Sequence, residues 1–172
     1  MALRPIVNIP DPVLRRKAHK VTEFDKDFQT LVDDMIETMR AAPGVGLAAP
    51  QVGISTRLIV IEYGEDEDEE VTNKVKKLYV VANPEIIHTS AETEIGNEAC
   101  LSVPGLVGEV ERFTELVVRG KNRRGQPVRI NAQGWMARIF QHEMDHLDGV
   151  LFTDRATRIW KPSEDEKLSI AD

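Results

Sequence analysis

The sequence predicts an α+β fold, with mostly antiparallel sheets around one central helix. Two stretches carry helical periodicity, near residues 25–42 and 134–147, and a strand-rich middle separates them. The strand candidates come in a run instead of alternating one by one with helices, which is the pattern of segregated elements. A short turn signal between the last two strands suits a hairpin.

In the first helix, Phe28, Leu31, Val32, Met35, Ile36 and Met39 fall at helical spacing between polar residues. Pro43 and Gly44 stop it. The following block, Gly44-Val45-Gly46-Leu47-Ala48-Ala49-Pro50-Gln51, is too rich in small residues for an ordinary element. Residues 57–63 (RLIVIEY) read as a strand dense in β-branched side chains. The acidic residues 64–73 read as a mobile loop. A second strand covers 77–82 and ends at Asn83-Pro84, a turn signal. Residues 106–112, 115–121 and 127–131 are further strands, the last two joined by a turn at 122–126. The second helix carries Trp135, Ile139, Phe140 and Leu147 as apolar positions and ends at Gly149.

The 172 residues suit one compact unit, so we expect a single catalytic domain over 1–160 and a polar, mobile tail over 161–172. A hydrophobic fraction of 41% and a charged fraction of 30% are ordinary for a soluble protein. No apolar run approaches membrane-spanning length, and the first residues lack a secretory pattern, which predicts a cytoplasmic location. The net charge of −7 argues against nucleic-acid binding as the main task. One cysteine, Cys100, excludes an internal disulfide. By composition alone it reads as a buried hydrophobe before it reads as a ligand.

The sharpest local signal is His142-Glu143-Met144-Asp145-His146. Residues four apart on a helix share a face, so both imidazoles can reach one ion. Glu143 can sit beside the remaining metal position and exchange protons there. The bland alternative is a surface helix with two histidines and a solvated acid. A catalytic site needs a third ligand and an open position. The other histidines are His19 and His88, and neither lies downstream. Asp154 and Glu164 lie downstream without a ligand context, and Cys100 is the better candidate because thiolate suits borderline divalent metals. Asp145 and Asp148 fall off the ligand pair and read as solvent-facing or supporting residues. Trp135 and Ile139, one turn apart, are candidates to line a side-chain pocket, with core packing at least as good a reading.

Three segments in this order, GVGLAAPQ (44–51), EACLS (98–102) and QHEMDHLDG (141–149), resemble the signature of type I-like peptide deformylases. The similarity runs from near the N-terminus to about residue 154. The resemblance implies an α+β fold whose central helix carries the HExxH, with Cys100, His142 and His146 as ligands of one divalent metal. Fe²⁺ is the family's usual ion, and Zn²⁺, Ni²⁺ or Co²⁺ can take the same ligands. Glu143 is then the general base and acid, and the Gln51 amide and Leu101 N–H bind the developing oxyanion. Val45 and Gly46 are expected to meet the substrate, Gly46 by letting a peptide backbone lie close. The implied reaction removes the formyl group from N-terminal formyl-methionine of nascent chains near the ribosome and releases formate. Direct nucleic-acid and membrane binding are not expected.

Two departures stand out. Ala99 takes a position where the family commonly has glycine, at a cost of roughly 1 kcal/mol if that residue needs positive φ. Pro43 and Val107 stand where many members carry a Glu and an Arg, which predicts a less polar entrance. Two other functions compete: a metallopeptidase cutting internal bonds, which would need a third ligand other than Cys100, and a non-catalytic binder of nascent N-termini. The intact set of Glu143, Gln51 and ligands counts against the binder.

Overall fold

A computed structural model describes residues 2–42, 44–64 and 76–163. The readings made for the acidic run after Gly64, for Pro43 and for most of the tail lie outside these residues.

Among the described residues, eight strands form two antiparallel sheets, the sheet type that the sequence predicts. The larger has the order β1 (Gly46–Ala48), β2 (Leu58–Tyr63), β3 (Lys77–Thr89), β6 (Glu115–Lys121), β7 (Pro127–Gln133). The smaller has the order β4 (Thr93–Cys100), β5 (Val103–Phe113), β8 (Arg158–Trp160). Helix α1 (Lys26–Ala41) precedes the sheets, α2 (Gly134–Leu147) follows β7, and a short α3 (Phe152–Arg155) leads into β8.

Strand alternation in β2 explains why two helices are held on the large sheet. Leu58 and Val60 pack with α1 residues such as Phe28, Val32, Met35 and Met39. Ile59 and Ile61 point the other way and pack with Phe140, Met144 and Leu147 of α2. Successive side chains of a strand face opposite sides, so an almost continuous apolar strand is what burial on both faces requires. The Asp25 carboxylate caps α1 by accepting the Phe28 N–H at 3.0 Å. Helix α2 is thus buried between the large sheet and the smaller one, with Met136, Ala137, Ile139, Phe140 and Leu147 all buried.

The structure corrects several boundaries. Strand β3 does not stop at Asn83-Pro84 but continues to Thr89 through a bulge between Ala82 and Glu85. Asn83 adopts φ +52°, and its side chain accepts the Val21 N–H and donates to the Val21 carbonyl, at 2.8 and 2.9 Å. A proline is tolerated at a bulge because no ladder donor is needed there. Strand β4 was not foreseen at all. It is a polar edge strand with mostly exposed or half-buried side chains, so it lacks an apolar alternation. Strand β5 starts three residues before the reading, and β8, which the reading did not identify, pairs with it from Val107–Trp160 to Glu109–Arg158. Among the described residues, no helix is long and apolar enough to cross a membrane.

Candidate active site

Helix α2 carries His142, Glu143 and His146, and the turn between β4 and β5 brings Cys100 to them. Cys100 pairs with Val103, so Leu101 and Ser102 form the tight connection. The Cys100 Sγ lies 3.4 Å from His146 Nε2. One ligand atom each from Cys100, His142 and His146 falls within 4.8 Å of the others. Bonds of about 2.0–2.3 Å to nitrogen and sulfur make such a cluster suitable for one four-coordinate ion with an open position. The donors fit as well, because one thiolate and two imidazoles suit borderline divalent metals. The bland reading of a surface helix fails on burial: Cys100 and His146 are buried and His142 is only partly exposed.

Glu98 holds the first histidine. Its Oε1 lies 2.9 Å from His142 Nδ1, which leaves Nε2 for an ion. The same carboxylate accepts two hydrogen bonds from Arg112, at 2.8 and 2.9 Å, and one from Arg138 at 2.7 Å. Burial acts to raise the Glu98 pKa, but Arg112 first and then His142 outweigh it and hold the carboxyl well below its ordinary range. Burial also opposes charge on His142, yet hydrogen bonds to Cys100 and Glu98 raise its pKa well above the ordinary value. His146 moves the other way, lowered by burial and by the neighbouring His142 and Arg112.

Glu143 lies beside the Cys100, His142 and His146 cluster. Its Oε1 is 3.9 Å from His142 Nε2 and 4.0 Å from His146 Nε2. Its Oε2 is buried with no hydrogen-bond partner among the described residues. Burial pushes its pKa up to about 7, opposed by the His142 ring and aided by the Glu98 charge. A carboxyl tuned to that range can both take and return a proton. Gly46 makes room for it: a Cβ there would lie 2.9 Å from the Glu143 Cγ and Oε2.

Gln51 sits on a 3-10 turn, Ala49–Val52, directly after β1. The Ala48 N–H donates to its Oε1 at 3.0 Å, which fixes the amide so that Nε2 faces the site. Nε2 donates to Ser102 Oγ at 3.2 Å and reaches Cys100 Sγ at 3.6 Å. The cavity in front of these groups is lined by Val45, Gly46, Gln51, Leu101, Trp135 and Ile139 together with Cys100, His142 and Glu143. Ile139 also joins the core, and Trp135 packs against it, so these side chains line the cavity and pack at the same time.

The chain matches the model of the family described as polypeptide deformylase over residues 3–161. The chain belongs to that family. Its reaction is the hydrolytic removal of a formyl group. A peptide deformylase of Halothermothrix orenii is 50% identical over 92% of this chain and 97% of its own length. One from Symbiobacterium thermophilum is 48% identical over 96% of this chain and 72% of its own. The crystal structure of a peptide deformylase from Legionella pneumophila superposes with TM-score 0.79 at 39% identity, covering 98% of this chain and 90% of the other.

Several supporting residues escaped the sequence reading. Glu98 was quoted inside a motif without a role, and Arg112 and Arg138 were not singled out. Arg138 falls between Trp135 and Ile139 on the buried side of α2, and a charge at such a position is the signal that could have found it. Asp145 supports the site by accepting from Arg112 and Arg155, each at 2.7 Å. Asp148 instead pairs with Arg57. Of the downstream acids, Asp154 is engaged with Arg15 and the Leu151 N–H, and Glu164 lies outside the described residues. Ala99 needs no left-handed backbone, since Asn83 alone among the described non-glycine residues has positive φ. Val107 is buried in the pairing with Trp160.

Proposed function

We propose that Cys100, His142 and His146 hold one divalent metal, Fe²⁺ by preference, and that Glu143 moves the protons of deformylation. Zn²⁺, Ni²⁺ or Co²⁺ would fit the same donors. When bound, the ion supplies Lewis-acid activation of water and of the formyl carbonyl. Water adds to the formyl carbon while Glu143 takes its proton. The C–N bond then breaks, Glu143 delivers the proton to the leaving amine, and formate and a free N-terminus remain. The Gln51 amide and the Leu101 N–H receive the charge that develops on the carbonyl oxygen, a role for fixed neutral donors.

The observation that carries this assignment is the buried, unpartnered Glu143 Oε2 in the cavity beside two imidazoles and a thiolate. Leaving such an oxygen unsatisfied costs stability unless the site uses it. The substrate is an N-formyl-methionyl peptide, its backbone running beside Val45 and Gly46 and its methionine side chain entering the cavity at Trp135 and Ile139. A related Acinetobacter baumannii enzyme whose structure carries bound Met-Ala-Ser, 36% identical with TM-score 0.80, supports a methionine-first peptide. Nascent chains near the ribosome, a cytoplasmic setting and one catalytic domain over 1–160 complete the proposal.

The test is purification under anaerobic conditions, metal analysis, and assay of formate release from formyl-Met-Ala-Ser. About one metal per chain is expected, with iron giving the fastest turnover, and Cys100→Ala should lose both metal and activity. A Cys100→Ala protein that binds metal as tightly as the parent would remove Cys100 from the ligand set.

A further inference from the structure

We propose that Arg138, seated against Gly96, is the wall that ends the substrate cavity and sets the longest side chain the enzyme accepts. This rests on the proposed entry of the first side chain at Trp135 and Ile139. Arg138 lies four residues before His142 on α2, so both share a helix face. Together with Trp135 it lines the cavity containing Cys100 and Glu143. The same two residues also line a second cavity bounded by Glu94, Ile95, Gly96 and Phe113. They therefore form the partition between the two spaces.

The partition is rigid. Arg138 Nη1 donates to Glu98 Oε2 at 2.7 Å and to the Val110 carbonyl at 2.8 Å, and Nη2 donates to the Glu94 carbonyl at 2.7 Å. Three bonds to both β4 and β5 fix a guanidinium that is almost fully buried. Glu98 answers its charge, so the wall selects by length and does not attract acidic side chains. Gly96 is its complement: a Cβ there would lie 2.8 Å from Arg138 Cζ and 2.9 Å from Nη2. Only the missing side chain lets the guanidinium occupy this place.

Unbranched side chains up to methionine length should therefore fit, and longer linear ones should meet Arg138. The experiment measures kcat/KM for formyl peptides whose first residue is norvaline, methionine, norleucine, 2-aminoheptanoate or 2-aminooctanoate. In the parent, kcat/KM should fall roughly tenfold or more per added methylene beyond norleucine, in the range a tight apolar pocket gives. Arg138→Ala opens the partition, so the ratio of 2-aminooctanoate to methionine should rise at least as much. Gly96 lines only the second cavity, so the Cβ of Gly96→Ala pushes the guanidinium toward the first and should favour norvaline over methionine. This second variant decides the matter if Arg138→Ala does not fold. A parent with no length cut-off, or variants with the parental ratios, would overturn the assignment of Arg138. Failure of the parent to release formate from formyl-Met would instead strike the reading of the cavity on which it rests.

Discussion

Gly46 and Glu143 share one space: a methyl group on the glycine would stand 2.9 Å from the carboxylate of the proposed proton carrier. A strand and a helix nearly a hundred residues apart are thereby matched at a single missing side chain. The sequence reading assigned that gap to the substrate backbone, and the structure adds a second use for it.

Gly46→Ala is predicted to displace Glu143 without touching a ligand. Metal content should stay at the parental level while kcat falls by roughly 10²-fold, the scale of a 1 Å misplacement. Metal analysis and steady-state kinetics on one preparation check this. An unchanged kcat with a raised KM would give the gap to the substrate alone.

The second prediction concerns Glu98. Glu98→Gln leaves Arg112 and Arg138 without their shared counter-charge, both being nearly fully buried. Removing one partner of a buried ion pair costs roughly 3–5 kcal/mol, which denaturant unfolding would detect. His142 also loses the carboxylate that orients its ring, so metal affinity should drop about 10–100-fold. Parental metal affinity would show that His142 does not depend on Glu98.

Acid should act on the N-terminal segment through Asp34. Its carboxyl accepts the Ala2 N–H at 2.8 Å and Arg4 Nε at 2.9 Å. The Ala2 N–H, more than Arg4, holds the pKa below the ordinary 3.8 against the opposing effect of burial. A carboxyl depressed in the folded state contributes stability in full above 3.8 and loses it as pH falls through the lower folded value. The Tm gap between the parent and Asp34→Asn should therefore hold from neutrality down to about pH 3.8 and shrink as the pH falls further. A gap independent of pH would deny the ionised carboxyl a role.

The legible parts of the molecule were those whose signals are local. Helix α2 could be read from its apolar positions and from glycines at both ends, and the two histidines share a face by spacing alone. Strand β2 was legible because burial on both faces makes it apolar throughout. The unread parts depend on partners far along the chain. Strand β4 is a polar edge whose pairing with β5 no alternation announces. Asn83 and Pro84 look like a stop, yet Val21 captures the Asn83 side chain and the strand resumes. The Glu98, Arg112 and Arg138 cluster joins β4, β5 and α2, so its members look like separate surface charges until the fold brings them together.

The central claim is that metal holding and proton transfer belong to different residues, and Glu143→Gln in the iron-loaded enzyme tests it most directly. Metal stoichiometry and formate release from formyl-Met-Ala-Ser are measured on the same anaerobic sample. The side chain keeps its size and is not one of the proposed ligands, so about one metal per chain should remain. Loss of general acid–base help should lower kcat by roughly 10²–10⁴-fold. Loss of the metal, or turnover at the parental rate with the metal in place, would contradict the account.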